Sequence, residues 1–151
     1  MDYKKIFIIL PFFFGFLIGQ IIKPNKWYEN LNKPYLNPPK ILFPIVWTIL
    51  YLLIGISYYL IIIKFESYYN FLFIIMIIHL LINYSFTILF FYLKLKLLSA
   101  IICFITLVLA IYLYFIFFNY DNIGTASYLL IPYIIWLIFA NYLSWTIYFI
   151  N

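Results

Sequence analysis

Five apolar runs, separated by lysines and polar breaks, make up most of this chain. A bilayer core of about 30 Å is crossed by about 20 apolar residues in a helix, and the runs approach or exceed that length. They predict helices over 5–22, 42–64, 69–92, 97–118 and 128–150. Backbone groups in lipid must be satisfied within the protein, which leaves helices or a closed barrel. The period-two alternation of a barrel is absent. The expected fold is therefore an all-α membrane protein, a single domain over 1–151 built as a bundle of five transmembrane helices. The first run follows Lys4-Lys5 like a signal peptide, but Lys23, Pro24 and Trp27 stand where a small-residue cleavage site belongs, so it reads as a retained helix.

Three of the breaks, Lys64 to Ser67, Leu93 to Lys96 and Asn119 to Ser127, are short, so successive helices should run antiparallel. The first break is different. Residues 23–41 hold Pro24, Pro34, Pro38 and Pro39 together with Trp27 and Tyr28, and Pro44 and Trp47 follow closely. Most connections are short and carry little structure of their own. A long, stiff, aromatic one reads as a lid over a site among the helices.

Composition removes the soluble alternative. With 69% hydrophobic and 9% charged residues and a mean hydropathy of +1.13, there is too little polar side chain to cover a water-exposed surface. The net charge of +5 comes wholly from lysine, placed singly or in pairs at the ends of runs. Lipid head groups, rather than nucleic acid, fit that placement. Lys4, Lys5 and Lys64 fall on one side; Lys23, Lys26, Lys33, Lys40, Lys94 and Lys96 fall on the other. The positive-inside rule then puts the first loop and the C-terminus in the cytoplasm. Cys103 is the one cysteine, so no internal disulfide forms. The aromatic content of 26%, alongside abundant Ile, Lys and Asn, partly reflects an AT-rich coding bias. The tryptophans and prolines carry more information.

No phosphate-binding glycine loop, HExxH or cysteine pair is present, and neither a metal nor a cofactor is expected. Asp2, Glu29, Glu66 and Asp121 all lie at helix ends or in loops, so a proton-driven transporter lacks the carboxylates it needs inside a span. The polar residues that enter a span are concentrated on the third helix. His79, Asn83 and Thr87, spaced i, i+4, i+8, share one face. Hydrogen bonding between helices, worth about 0.6 kcal/mol per contact, and the lining of a site are both open readings of that face. Gly15 and Gly19 form a G-x-x-x-G step suited to close helix approach. Trp47 and Tyr51, and Trp136 and Ala140, are i, i+4 pairs inside their spans, where a large aromatic opposite a small residue can line a flat pocket.

Taken together, these motifs resemble the TspO/MBR family of translocator proteins and tryptophan-rich sensory proteins. Trp27-Tyr28, Leu31, Lys33-Pro34, Pro38-Pro39, Phe43, Val46-Trp47-Thr48, Leu50-Tyr51 and Gly55 are similar to its first signature. Asn83, Phe86, Phe90 and Phe91 resemble the third-helix motif, and Pro132-Tyr133, Trp136, Phe139-Ala140 and Leu143 the fifth. The resemblance implies a bundle of five helices, usually dimeric, whose first loop closes over a pocket. It implies Tyr28, Pro38, Trp47, Tyr51, Asn83, Phe86, Thr87, Trp136 and Ala140 as ligand-binding positions. The implied ligands are porphyrins such as protoporphyrin IX, isoquinoline carboxamides and benzodiazepines, with a role in tetrapyrrole regulation or stress response at a bacterial cell membrane. An alternative is light- and oxygen-dependent degradation of the porphyrin, with Trp47 and Trp136 as the catalytic pair and porphyrin as substrate. A second alternative is passive transport of a lipophilic metabolite. Three departures stand out. Phe86 replaces a tryptophan, no carboxylate occurs around Ile102 to Phe104, and the chain ends Tyr148-Phe149-Ile150-Asn151 without the basic residue of the sterol motif. The last weighs against a sterol ligand.

Overall fold

The computed structural model describes residues 5–64, 69–120 and 124–151. Asp2, Lys4, Glu66 and Asp121 lie outside the described residues. Every regular element among those described is helical: α1 (Ile6–Ile21), α2 (Lys26–Asn30), α3 (Leu42–Lys64), α4 (Tyr69–Thr87), α5 (Lys96–Tyr120), α6 (Thr125–Tyr128) and α7 (Ile131–Ile150). Four stretches, Leu42–Lys64, Phe71–Tyr92, Lys96–Tyr120 and Thr125–Ile150, are long and apolar enough to cross a membrane. The fifth, α1, has 16 residues and at 1.5 Å per residue reaches about 24 Å, somewhat short of a full span. Pro24 accounts for its end, because the residue before a proline is pushed out of the helical region; the chain is already extended at Ile22 (φ −112°, ψ 99°). The protein is an integral membrane helical bundle.

Two local departures from regular helix have a bearing on the site. The last helix was expected from residue 128, but a short turn, α6, comes first and α7 begins at Ile131. Pro132 has no N–H, and its ring would clash with the carbonyl four residues back, at Tyr128, so an unbroken ladder cannot pass. The third span, expected as one helix over 69–92, changes at Ile88–Tyr92 to a π-helical turn. There the Leu93 N–H reaches the Ile88 carbonyl at 2.9 Å, five residues back. Lys94 follows with φ +60°, the left-handed conformation that ends many helices and is usually taken by glycine.

Helix α1 packs along α3, and α7 along α5, with α4 joining α5. The α1–α3 seam is close because of two glycines. A Cβ at Gly55 would fall on the Ile8 carbonyl oxygen, and one at Gly15 would enter the Tyr51 ring. Gly19 is not part of that seam, since a Cβ there meets nothing within 4 Å. The G-x-x-x-G step therefore divides, with Gly15 against α3 and Gly19 facing open space. Between helices, the core is made of Ile54, Ile61, Met76, Leu113, Phe117 and Leu137, each essentially inaccessible. Polar ties run between these helices. Tyr84 donates to the Pro11 carbonyl at 2.8 Å, Ser57 to the Ala126 carbonyl at 2.6 Å and Asn141 to the Cys103 carbonyl at 3.2 Å. In lipid such packing and hydrogen bonds, rather than a solvent-driven effect, hold helices together.

Candidate functional site: an aromatic cavity beneath the first loop

One end of the bundle is tied to the segment between α1 and α3. Asn25 caps α2 by accepting the Tyr28 N–H at 3.3 Å, which turns Tyr28 inward. Tyr28 is buried, edge-on to Phe90 and Phe91 with ring centroids at 6.0 and 5.3 Å. Further along, Asn32 and Asn151 exchange hydrogen bonds: Asn151 Oδ1 accepts the Asn32 N–H at 2.8 Å and Asn151 Nδ2 donates to the Asn32 carbonyl at 3.0 Å. Lys96 donates to the Asn151 carbonyl at 2.8 Å, bringing in the start of α5. An ion pair between Glu29 and Lys40 joins the two ends of the segment. That hydrogen bond and charge from Lys40 hold the Glu29 carboxyl below its ordinary range, while burial pushes the Tyr28 phenol up against the opposing effects of Asn37 and Lys40.

Beneath this segment lies a cavity of about 780 Å³, within the size range of small-molecule sites. Trp47 and Tyr51 from α3 stack at 5.3 Å on one side, and Trp136 and Ala140 from α7 form another. Phe86 and Phe90 stack nearly parallel, at 5.6 Å and 8°, across the junction of α4 with its π turn. Polar groups are few. Asn83 donates to the Tyr51 hydroxyl at 3.4 Å, and Thr87 lies one turn on. Lys23 and Lys40, both exposed, are the lysines at the cavity. The indole nitrogen of Trp136 is buried and, among the described residues, has no hydrogen-bond partner. An unpaired buried donor is costly, so this N–H is a buried polar group that the described residues leave unsatisfied.

Of the nine positions expected to bind ligand, Tyr28, Trp47, Tyr51, Asn83, Phe86, Thr87, Trp136 and Ala140 line the cavity. Pro38 does not. Its neighbour Asn37 does, accepting from the Tyr28 hydroxyl at 3.5 Å and donating to the Pro38 carbonyl at 3.2 Å. The prolines stiffen the loop and the asparagine points inward. The polar face of α4 also divides. Thr87 and Asn83 meet the cavity, whereas His79 is wholly buried, held between the Tyr58 hydroxyl at 2.7 Å and the Tyr133 hydroxyl at 3.0 Å. Lys33 is turned away from the cavity, donating to the Glu29 and Leu31 carbonyls and lying 4.9 Å from the centre of the Tyr28 ring. Asn37 and Tyr84 line the cavity without having stood out in the sequence. Nothing in their spacing marks them.

A family model, the TspO/MBR family, matches residues 7–150. The chain belongs to the TspO/MBR family. It is 31% identical to the tryptophan-rich protein TspO of Bacillus cereus over the whole of both chains. It is 35% identical to that of Archaeoglobus fulgidus over 84% of this chain and 81% of the relative. A local match, 51% identical over 39 residues, relates it to the tryptophan-rich sensory protein of Cereibacter sphaeroides and covers 26% of this chain and 25% of that one. In this TspO/MBR chain Trp47, Phe86 and Trp136 all line the cavity.

Proposed function

We propose that this TspO/MBR protein is a membrane sensor whose cavity binds a porphyrin such as protoporphyrin IX, or isoquinoline carboxamide and benzodiazepine drugs of similar planarity. The cavity carries the reading. It combines aromatic walls (Trp47, Tyr51, Phe86 and Trp136), a buried indole donor without a partner among the described residues, and lysines at its edge. A flat macrocycle with carboxylate tails matches each part: the ring lies against the aromatics, an acceptor meets Trp136, and the carboxylates meet Lys23 and Lys40. Lys33 is taken up by backbone carbonyls and plays no part. The segment 23–41 acts as the lid, with the Glu29–Lys40 pair as its clasp and the loop side in the cytoplasm of a bacterial cell. The unit in the membrane is a homodimer.

Titration of the purified protein with protoporphyrin IX, followed by quenching of tryptophan fluorescence, tests this reading. Saturable binding that weakens in a Trp47→Phe/Trp136→Phe double variant is expected. Absence of saturation, or equal binding by the double variant, overturns it.

A second reading, degradation of the bound porphyrin in light and oxygen, is favoured by the presence of two indoles on the same cavity. Excited porphyrin takes one electron from an indole and passes it to dioxygen, and the superoxide so formed attacks the macrocycle, making the C–O bonds at which the ring opens. Loss of the porphyrin absorption band under light should be slower in Trp47→Phe. Equal bleaching would assign the chemistry to the dye alone.

A further inference from the structure

Directly behind the cavity wall sits a group of side chains that ligand binding does not use. His79 is completely buried, and both of its ring nitrogens face phenols: Nδ1 is 2.7 Å from the Tyr58 hydroxyl and Nε2 is 3.0 Å from the Tyr133 hydroxyl. A neutral imidazole has one N–H and one lone pair, so one of these phenols donates to the ring and the other accepts from it. Tyr133 also touches the cavity wall. Its ring lies 6.2 Å from that of Trp47 and 5.5 Å from that of His79, centre to centre. The three rings thus form a line from the cavity into the core.

We propose that Trp47, Tyr133 and His79 form a relay that moves an oxidising equivalent inward and a proton sideways. The proposal rests on the second functional reading for its physiological oxidant, excited bound porphyrin. Trp47 loses one electron to that oxidant and becomes an indole radical cation. Tyr133 returns one electron to Trp47, and as it does so its O–H bond breaks and the proton passes to Nε2 of His79. The products are a neutral tyrosyl radical and an imidazolium that keeps its other proton, on Nδ1, directed at Tyr58. The electron taken by the porphyrin goes on to dioxygen, giving superoxide. Return of an electron from superoxide, through Trp47, and of the proton from His79 resets the relay and gives back dioxygen.

A phenol is easily oxidised only if its proton has somewhere to go, and this singles out Tyr133. Tyr51 is nearer to Trp47, stacked at 5.3 Å, but its hydroxyl meets the Asn83 amide nitrogen, which donates and cannot take a proton. Among the described residues, Tyr133 alone couples contact with Trp47 to contact with a base. The arrangement holds the radical one residue away from the porphyrin, so recombination is slowed and the reduced porphyrin has time to meet oxygen. His79 acts as the proton acceptor in the tautomer that carries hydrogen on Nδ1, and Tyr58 holds that tautomer by accepting from it.

The relay can be tested without porphyrin. Azide radical, generated by a radiation pulse, oxidises indoles in the detergent-solubilised protein, and tyrosyl growth is followed by transient absorption. The growth that depends on Trp47, obtained as wild type minus Trp47→Phe, is expected to vanish in Tyr133→Phe. In His79→Gln, which keeps hydrogen bonding but is no base, its rate is expected to fall at least about tenfold, and in wild type it should slow in heavy water. Persistence of that growth in Tyr133→Phe, or an unchanged rate in His79→Gln, overturns the relay. Nitrogen NMR of the resting protein gives a second check that no folding defect can imitate: hydrogen on Nδ1 is expected, and hydrogen on Nε2 overturns the assignment. Slower bleaching of bound protoporphyrin by Tyr133→Phe, at unchanged affinity, would link the relay to the photochemistry. If wild type and Trp47→Phe bleach alike, the photochemical reading fails on its own account, because the azide measurement contains no porphyrin.

Discussion

The two ends of one polar stripe on α4 have opposite fates. At His79 every ring nitrogen is matched by a phenol, and no side chain there reaches the cavity. Two turns on, Thr87 lines the cavity, which is also where the Trp136 indole N–H is left without a partner. Asn83 lies between them, buried yet lining the cavity. A helix that only glued a bundle together would satisfy all of its polar groups in the same way. Here the satisfied end fixes the neighbours Tyr58 and Tyr133, and the other end meets aromatic walls that remain accessible to a ligand. The difference separates polar groups satisfied within the fold from those placed at the cavity.

The comparison is broken most severely at the closed end. His79→Phe leaves two buried hydroxyls without a partner and should lower stability by about 2–4 kcal/mol, read as an earlier thermal unfolding transition in detergent. Protoporphyrin affinity of the protein that remains folded should change by less than about twofold. Unchanged unfolding would mean that the phenols find other partners.

At the other end the effects should reverse. Trp136→Phe removes a donor that has no partner among the described residues, so unfolding should shift by no more than about 0.5 kcal/mol. Porphyrin affinity should fall about tenfold, the equivalent of one hydrogen bond of about 1.4 kcal/mol. A variant that unfolds early and binds normally would show that Trp136 is a packing residue.

The smallest effect concerns the clasp. Glu29 has its folded-state pKa lowered by Lys40 from an ordinary 4.5. Its contribution is therefore complete above about pH 4.5 and is lost as pH falls through the lowered value. The pair is half exposed and surface pairs are weak, so the expected change is a porphyrin dissociation rate about twofold higher in Glu29→Gln at neutral pH. The variant should match wild type once the pH is low enough to protonate the carboxyl. High salt should reduce the same difference. A rate independent of both would leave the loop without an electrostatic clasp.

The sequence was legible where one helix, or one motif, decides the outcome. Apolar length located the four long helices and the shorter α1. Periodicity put His79, Asn83 and Thr87 on one face, but it could not divide them, because their partners Tyr58, Tyr51 and Tyr133 arrive from α3 and α7. The role of Gly55 was hidden for the same reason: the backbone it admits belongs to Ile8, far away in sequence. Eight of the nine positions expected from the family motifs line the cavity, and Asn37 lines it where Pro38 does not. The π turn left no trace in Ile88-Leu89-Phe90-Phe91-Tyr92, a run that any apolar helix could contain.

That turn has a geometric consequence. A wider coil leaves less rotation between one side chain and the next, so Phe90 and Phe91, adjacent in sequence, can both lean on the same Tyr28. Removing a single residue from 88–92 would restore an ordinary coil, in which neighbouring side chains stand about 100° apart around the axis. Tyr28 would then lose one of its two supports, and the first loop its seat. Spacing in this stretch is therefore constrained by residue count as much as by residue identity, and a relative with one fewer residue there would need a different way to hold its loop.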